Sequence, residues 1–347
     1  MKRKLLLIAI TFVFFEILFL ILCVNNSLTF RNLFSTLILG KKRVILVVGV
    51  ISAPNLAHRR EGIRLTWMAF CKRPDIVCKF FLDSLNDMDQ GMDKVIKDEN
   101  AKYGDIEYMG VPRGVNFARR ILWILEWAAK NYVFDFVLRV DDDMFVCLQR
   151  LILELPYRSE KRLYWGYVHC EKEGQVRVDE EFLLLSADLV HEFLDKKDSL
   201  LCNPFGDISV SMWVNNVDDV TYFNDKRIYH EAGLAKSSLV DDVSLCHNYL
   251  ALNSAYKKDT LLYWTKVQSE SRTNFEFPKI PPFEKTCNLA KHVDWKSFAI
   301  GHRFEPVRCM RKPTWKSLGK MYIGKQGAKA IDKNVLDPLG DKPVIPP

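Results

Sequence analysis

The stretch VILVVGVIS at residues 44–52 is aliphatic and largely β-branched on both alternations of its side chains. A strand of this kind has no face to offer water. It must lie inside a sheet covered by helices on both sides, and such sheets are mostly parallel. The following segments fit that demand. RREGIRLTWMAF (59–70) reads as a helix, CKFFLD (78–83) as a second strand, and MDKVIKDENAKYG (92–104) as a surface helix stopped by Gly104. DIEYMGV (105–111) is a candidate third strand, and NFARRILWILEWAAKNY (116–132) is a helix with Ile121, Leu125, Ala128 and Ala129 at core spacing. Strands alternating with helices make the fold class α/β, with a mostly parallel central sheet.

The next strand, FDFVLRV at 134–140, runs straight into Asp141, Asp142 and Asp143. Adjacent carboxylates repel, and burying them is costly unless a positive charge is near. In open α/β sheets ligands bind beyond the carboxyl ends of strands, and these acids lie at such an end. The alternatives are a solvated acidic turn or a site for a divalent cation. An Asp-x-Asp at a strand end suits Mn²⁺ or Mg²⁺, hard ions that take oxygen ligands and bind substrate phosphates. A metal so placed can carry the charge of a leaving diphosphate.

Other features bound the setting. MKRK precedes the apolar run LLLIAITFVFFEILFLILCV at residues 5–24, long enough to cross a bilayer as one helix. Lys2, Arg3 and Lys4 orient it with a cytosolic N-terminus, so a signal anchor is expected, with a stem at 25–43 and a lumenal body. Outside that run the chain has eight cysteines, an even set that permits disulfides without revealing their pairing. Absence of any C-x-x-C argues against a zinc knuckle. The formal charge of +7 over 347 residues is too modest to argue for nucleic acid. Part of it falls in the tail, at Arg311, Lys312, Lys316, Lys320, Lys325 and Lys329, which reads as a solvated end.

Beyond the acids, MFVCLQRLILEL reads as a helix or extended turn, KRLYWGYV as a strand, FLLLSADLVHEFL as a strand entering a helix, and PFGDISVSMWVNNV as a loop entering a helix. The pattern loosens from about Glu270, with prolines at 278, 281 and 282. The expected organisation is therefore a cytosolic tail at 1–4, the anchor at 5–24, the stem at 25–43, a catalytic domain at 44–270 and a C-terminal extension at 271–347.

Three segments now combine. RREGIRLTW (59–67), with Arg60, Ile63, Arg64, Thr66 and Trp67 on the pattern, FDFVLRVDDDMF (134–145) and LLLSADLV (183–190) resemble, in order and spacing, the β-1,3-galactosyltransferase family of inverting Golgi glycosyltransferases. The similarity covers roughly residues 44–253, and RLYWGYV with the acid strand looks most like the branch that extends the galactosyl-xylose linker of proteoglycans. The resemblance implies a GT-A-type domain, a UDP-sugar donor (UDP-galactose foremost), Mn²⁺ with Mg²⁺ as alternative, a glycan or glycoprotein acceptor and a Golgi membrane. It implies metal ligands at Asp141, Asp143 and Asn253, nucleotide contacts from Arg60, Arg64, Asp141 and Asp142, and a catalytic base at Asp207. Asp207 is preferred by position, and Asp242 in the later DDVSLC is the alternative. For Arg60 and Arg64, pairing with structural acids weighs equally with nucleotide contact. Trp67 reads as core, and Arg120 as a helix-surface residue that could instead face phosphate.

The chain departs from the family in three places. Asp179, Glu180 and Glu181 stand where the family has a glycine-rich stretch. Gly206 replaces the Glu before the base, and Asn253 falls where the family has a metal-binding His, with His230 and His247 as substitutes. These departures keep open a UDP-N-acetylglucosamine-dependent relative and a catalytically silent glycan-binding protein.

Overall fold

The computed structural model describes residues 40–88, 91–111, 116–170, 176–230, 244–269, 275–287 and 306–310, together with two short strands at Met321–Ile323 and Lys329–Ile331. The expected anchor at 5–24 and the alternative base Asp242 lie outside the described residues. No helix among the described residues is long and apolar enough to cross a membrane.

The first half alternates as the sequence demands. Strand β1 (Lys42–Ile51) leads to α1 (Ala57–Leu65), β2 (Ile76–Leu82) to α2 (Met92–Tyr103), and β3 (Ile106–Tyr108) to α3 (Phe117–Asn131). Strand β4 (Tyr132–Asp141) then carries the acids, followed by β5 (Phe145–Val146) and α4 (Leu148–Glu154). The second half holds β6 (Leu163–Cys170), β7 (Val176–Ser186), α5 (Ala187–Asp195), β8 (Leu201–Cys202), α6 (Gly206–Val214), β9 (Thr221–Asn224), β10 (Ile228–Tyr229), α7 (Leu245–Asn248), β11 (Ala251–Leu252), α8 (Lys257–Ser269) and β12 (Val307–Arg308).

Seven strands form the central sheet in the order β3-β2-β1-β4-β7-β6-β9. Pairings among β1 to β4 and between β6 and β9 are parallel, whereas β7 runs antiparallel to both β4 and β6. The sheet is thus mixed and mostly parallel. Each face is sealed. Val47, Phe81, Phe134 and Val137 pack with Ile121, Ile124 and Leu125 of α3 on one side. Leu46, Val48, Val50, Phe136, Leu138 and Val140 pack with Ile63, Trp67, Leu151 and Tyr263 on the other. This two-sided packing is what the uninterrupted apolar run of β1 requires.

One irregularity shapes everything that follows. Gly166 pairs with Leu183 and Val168 with Val178, so a single residue of β6 faces residues 179–182 of β7. This wide bulge gathers Asp179, Glu180 and Glu181 at one place. Gly166 permits it, since a Cβ there would sit 2.3 Å from Val178 Cγ1 and 2.4 Å from the Phe182 carbonyl oxygen.

All eight cysteines outside the N-terminal run are paired, as Cys71–Cys78, Cys147–Cys246, Cys170–Cys287 and Cys202–Cys309. The last two reach past the boundary expected near Glu270, and β12 pairs antiparallel with β8. Residues 275–287 and 306–310 of the expected C-terminal extension are therefore stitched to the body.

Candidate active site

The acids emerge where β4 ends. Register with β1 sets Ile51 beside Asp141, and register with β7 sets Val140 beside Phe182, so one step further Asp141 and Glu181 come abreast. Alternation along the strand sends the acids different ways. Asp141 shares a face with Arg139, whose Nη2 lies 2.9 Å from Asp141 Oδ1. Asp142 turns inward and is 6% exposed: Ser52 Oγ donates to its Oδ2 at 2.7 Å and Arg59 Nη1 to its Oδ1 at 2.8 Å. Asp143 lies 3.4 Å from the same Arg59 nitrogen, and its carbonyl accepts from the Ala255 N–H at 2.7 Å. Trp67, buried as expected, donates through Nε1 to the Met144 carbonyl and braces the turn.

Asp141 and Asp143 are 30% and 24% exposed, with protein crowding their remaining sides. That burial pushes each carboxyl up to about 6; Arg139 opposes the shift at Asp141 and Arg59 at Asp143, while the neighbouring acids reinforce it at both. Two oxygen-bearing groups held together against repulsion are a fit for a dication, whose charge would relieve the strain.

The bulge supplies the opposite wall. Asp179 accepts from His169 and has His230 Nδ1 2.9 Å away, and its carboxyl is held below the usual range: burial opposes this, but the two rings outweigh it. His230 is raised to about 9, because Asp179 and Glu181 overcome the burial that disfavours a charged ring. Glu181 is raised, chiefly by burial, and accepts from Asn253 Nδ2. Glu180 is raised well above its ordinary value by burial, against the pull of Arg139.

Asp207 opens α6 at 9% exposure. Its Oδ2 pairs with Arg177 of β7, and its Oδ1 accepts from the Ile208 N–H at 2.7 Å. The Gly206 N–H donates to Glu180 Oε2 at 3.0 Å, and a Cβ on Gly206 would stand 2.1 Å from that oxygen. A carboxylate from the bulge thus fills the space a side chain at 206 would need.

Several sequence expectations are corrected. Arg60 cannot reach a nucleotide: it is wholly buried, and all five of its N–H donors are committed, to Glu99 twice and to Ser52, Ala53 and Pro54. Arg64 faces the same way, bound to Glu99 and Asp105. Asn253 turns its amide nitrogen to Glu181 and the His230 carbonyl, while its oxygen accepts from Ser254 at 3.2 Å, which weakens it as a metal ligand. His247 is remote, packed on Phe275, whereas His230 is in the site. Arg120 is a buried partner of Asp83. The residue that sequence reasoning passed over is Arg59; a doublet of arginines one helical turn past a strand, facing three acids, was the available signal.

Known proteins resemble parts of this chain. The galactosyltransferase family model matches residues 58–183, which takes in Arg59, the three acids and the bulge but stops short of Asp207 and Asn253. Mouse β-1,3-galactosyltransferase 6 is 28% identical over 202 residues, covering 51% of this chain and 62% of the relative. The probable β-1,3-galactosyltransferase 5 of Arabidopsis thaliana is 30% identical over 145 residues, covering 39% and 36%. The matched stretch thus spans less than two thirds of either relative. Among solved structures, the glycosyltransferase GlyE of Streptococcus pneumoniae aligns with a TM-score of 0.39 at 12% identity, covering 66% of this chain and 61% of that one. The galactosyltransferase LgtC aligns with a TM-score of 0.35 at 12% identity, covering 69% and 99%.

Proposed function

We propose, from the galactosyltransferase family model matched at residues 58–183 and the similarity to β-1,3-galactosyltransferases, that the chain moves galactose from UDP-galactose to the 3-hydroxyl of an acceptor sugar, with inversion at C1. The observation that carries the reading is the pair Asp141 and Asp143 at the mouth of β4, two part-exposed carboxyls flanked by Arg139 at 2.9 Å and Arg59 at 3.4 Å. They would hold Mn²⁺, or Mg²⁺ in its place. When bound, that ion supplies positive charge to the diphosphate of the donor.

The chain's own residues do the rest. Arg59 and Ser52 fix Asp142 from two sides and so hold the acid turn in place. Arg139, 2% exposed, anchors Asp141 and the bulge together. Asp207 accepts the proton of the attacking hydroxyl, on the face opposite the leaving UDP. Arg177 orients that carboxylate and must swing aside, or share it, when the acceptor enters. Holding acceptor and donor in line supplies much of the rate.

The acceptor we propose is the galactosyl-xylose linker of proteoglycans, and the setting is a Golgi membrane, with the body in the lumen. The apolar run at residues 5–24 and four disulfides support an anchored protein that folds in an oxidising compartment.

The test is a donor screen on the full-length chain with galactosyl-xyloside acceptors. Transfer from UDP-galactose that a chelator stops and Mn²⁺ restores is the expected result, with Asp207→Asn lowering turnover at least a hundredfold. Transfer from UDP-N-acetylglucosamine alone changes the donor. No nucleotide binding with Mn²⁺ present overturns the reading, in favour of a silent relative whose base is locked to Arg177.

A further inference from the structure

A second cluster lies along the bulge and offers a different chemistry. His169 comes from β6, Asp179 from the bulge in β7, and His230 from the residue after β10. His169 Nε2 lies 2.8 Å from Asp179 Oδ2, and His230 Nδ1 lies 2.9 Å from the same oxygen. One ligand atom from each residue falls within 4.8 Å of the other two. Asp141 and Asp143 present oxygens only, whereas this cluster presents two imidazole nitrogens and a carboxylate. Oxygen sets select Mg²⁺, Ca²⁺ and Mn²⁺; imidazole suits Zn²⁺, Cu²⁺, Fe²⁺ and Ni²⁺.

The rings are oriented by their surroundings. Tyr167 stacks on His230, with centroids 4.9 Å apart and planes at 21°. It stands edge-on to His169 at 5.1 Å. Asp179 uses its other oxygen, Oδ1, to accept the Glu181 N–H at 2.9 Å, which points Oδ2 at both rings. Asn253 Nδ2 donates to Glu181 Oε2 and, at 3.1 Å, to the His230 carbonyl. Such outer contacts are the kind that hold metal ligands in place.

The position of one atom separates a metal cluster from a plain hydrogen-bonded one. His230 Nδ1 is buried and has no partner of hydrogen-bond geometry, though Asp179 Oδ2 is 2.9 Å away and Glu181 Oε2 is 3.5 Å away. A ring nitrogen that approaches two carboxylate oxygens without aiming an N–H at either is disposed as ligands around a common ion are. Metal bonds of about 2.0–2.2 Å set tetrahedral donors roughly 3.4 Å apart, so each ring would draw back from Asp179 by about half an ångström as the ion enters.

We propose that His169, Asp179 and His230 form a transition-metal site of the Zn²⁺ class, with Glu181 as fourth donor, separate from the Asp141–Asp143 pair. It goes beyond the transferase reading and does not depend on it. Two histidines and a carboxylate are a known donor set for zinc, and a fourth protein ligand closes the shell.

The test uses the full-length chain purified in detergent, stripped with a chelator and reloaded with Co²⁺ or Zn²⁺ alone. Expected is a visible Co²⁺ absorption of a four-coordinate nitrogen–oxygen site, displaced by Zn²⁺, and a zinc-edge X-ray absorption spectrum containing imidazole scattering. His169→Ala and His230→Ala each weaken Co²⁺ binding more than tenfold, while Asp141→Asn and Asp143→Asn leave it within twofold. A zinc spectrum with oxygen ligands only overturns the proposal, and this measurement on the unaltered chain decides the matter even if the variants misfold. Histidine variants that fold and bind Co²⁺ as tightly as the unaltered chain also overturn it. Equal loss in the aspartate and histidine variants would merge the two sites and overturn their separation.

Discussion

Arg59 donates to Asp142 and leans toward Asp143, while its neighbour Arg60 turns the other way into the core. The two differ because a helix rotates about 100° per residue, and only one of them can face the strand ends. Arg59→Ala should therefore have two opposite effects. Asp142 is left buried beside fewer donors, which lowers stability by about 1–3 kcal/mol. The site also becomes more negative, so Mn²⁺ binds more tightly, and calorimetric titration against thermal unfolding separates the two. Gly206→Ala is the second residue-scale case. Its new Cβ would meet Glu180 and, at 2.4 Å, Ile121 Cδ1, an overpacking that costs about 1–3 kcal/mol. Glu180→Ala combined with Gly206→Ala should recover part of that loss, a non-additivity that a double-mutant cycle in denaturant would measure. Neither Arg60's partner nor the Glu180–Gly206 contact was legible in the chain. Glu99 lies 39 residues from Arg60, and Glu180 lies 26 from Gly206, so only the folded sheet brings them together.

Among elements, α1 and α2 are tied by charge. Glu99 of α2 receives both Arg60 and Arg64 of α1, and Asp105 takes the rest of Arg64. Burial raises the Glu99 carboxyl, but the two arginines outweigh it and hold the group below its usual value of 4.5. The unfolded chain then binds the proton first, so this contribution is complete above about pH 4.5 and fades as pH falls through the lower folded value. Glu99→Gln strands a buried guanidinium, with an expected loss of about 3–5 kcal/mol at neutral pH and a flatter acid limb in stability against pH. Strands were the most legible elements, because the apolar runs of β1 and β4 admit no other reading. The acid turn was legible for the same reason: charge stops a buried strand. The bulge was not. VRVDEEFLLLS gives no sign of a register shift, which is dictated by Gly166 across the ladder.

At the scale of the whole molecule, three of the four disulfides close loops of 99, 117 and 107 residues, while Cys71–Cys78 closes only 7. Chain entropy predicts about 5 kcal/mol for each long closure against about 2 kcal/mol for the short one. Paired Cys→Ser replacements, followed by denaturant unfolding, should reproduce that ranking. The cysteine count made bridging legible, but not the partners, since any of the eight could meet any other until the sheet order was known. Cys202 has a consequence of its own. Its mate, Cys309, emerges from the ribosome 107 positions later, after the whole sheet has been synthesised. A polypeptide ending between residues 225 and 308 would carry every strand of the central sheet yet leave Cys202 as an unpaired thiol.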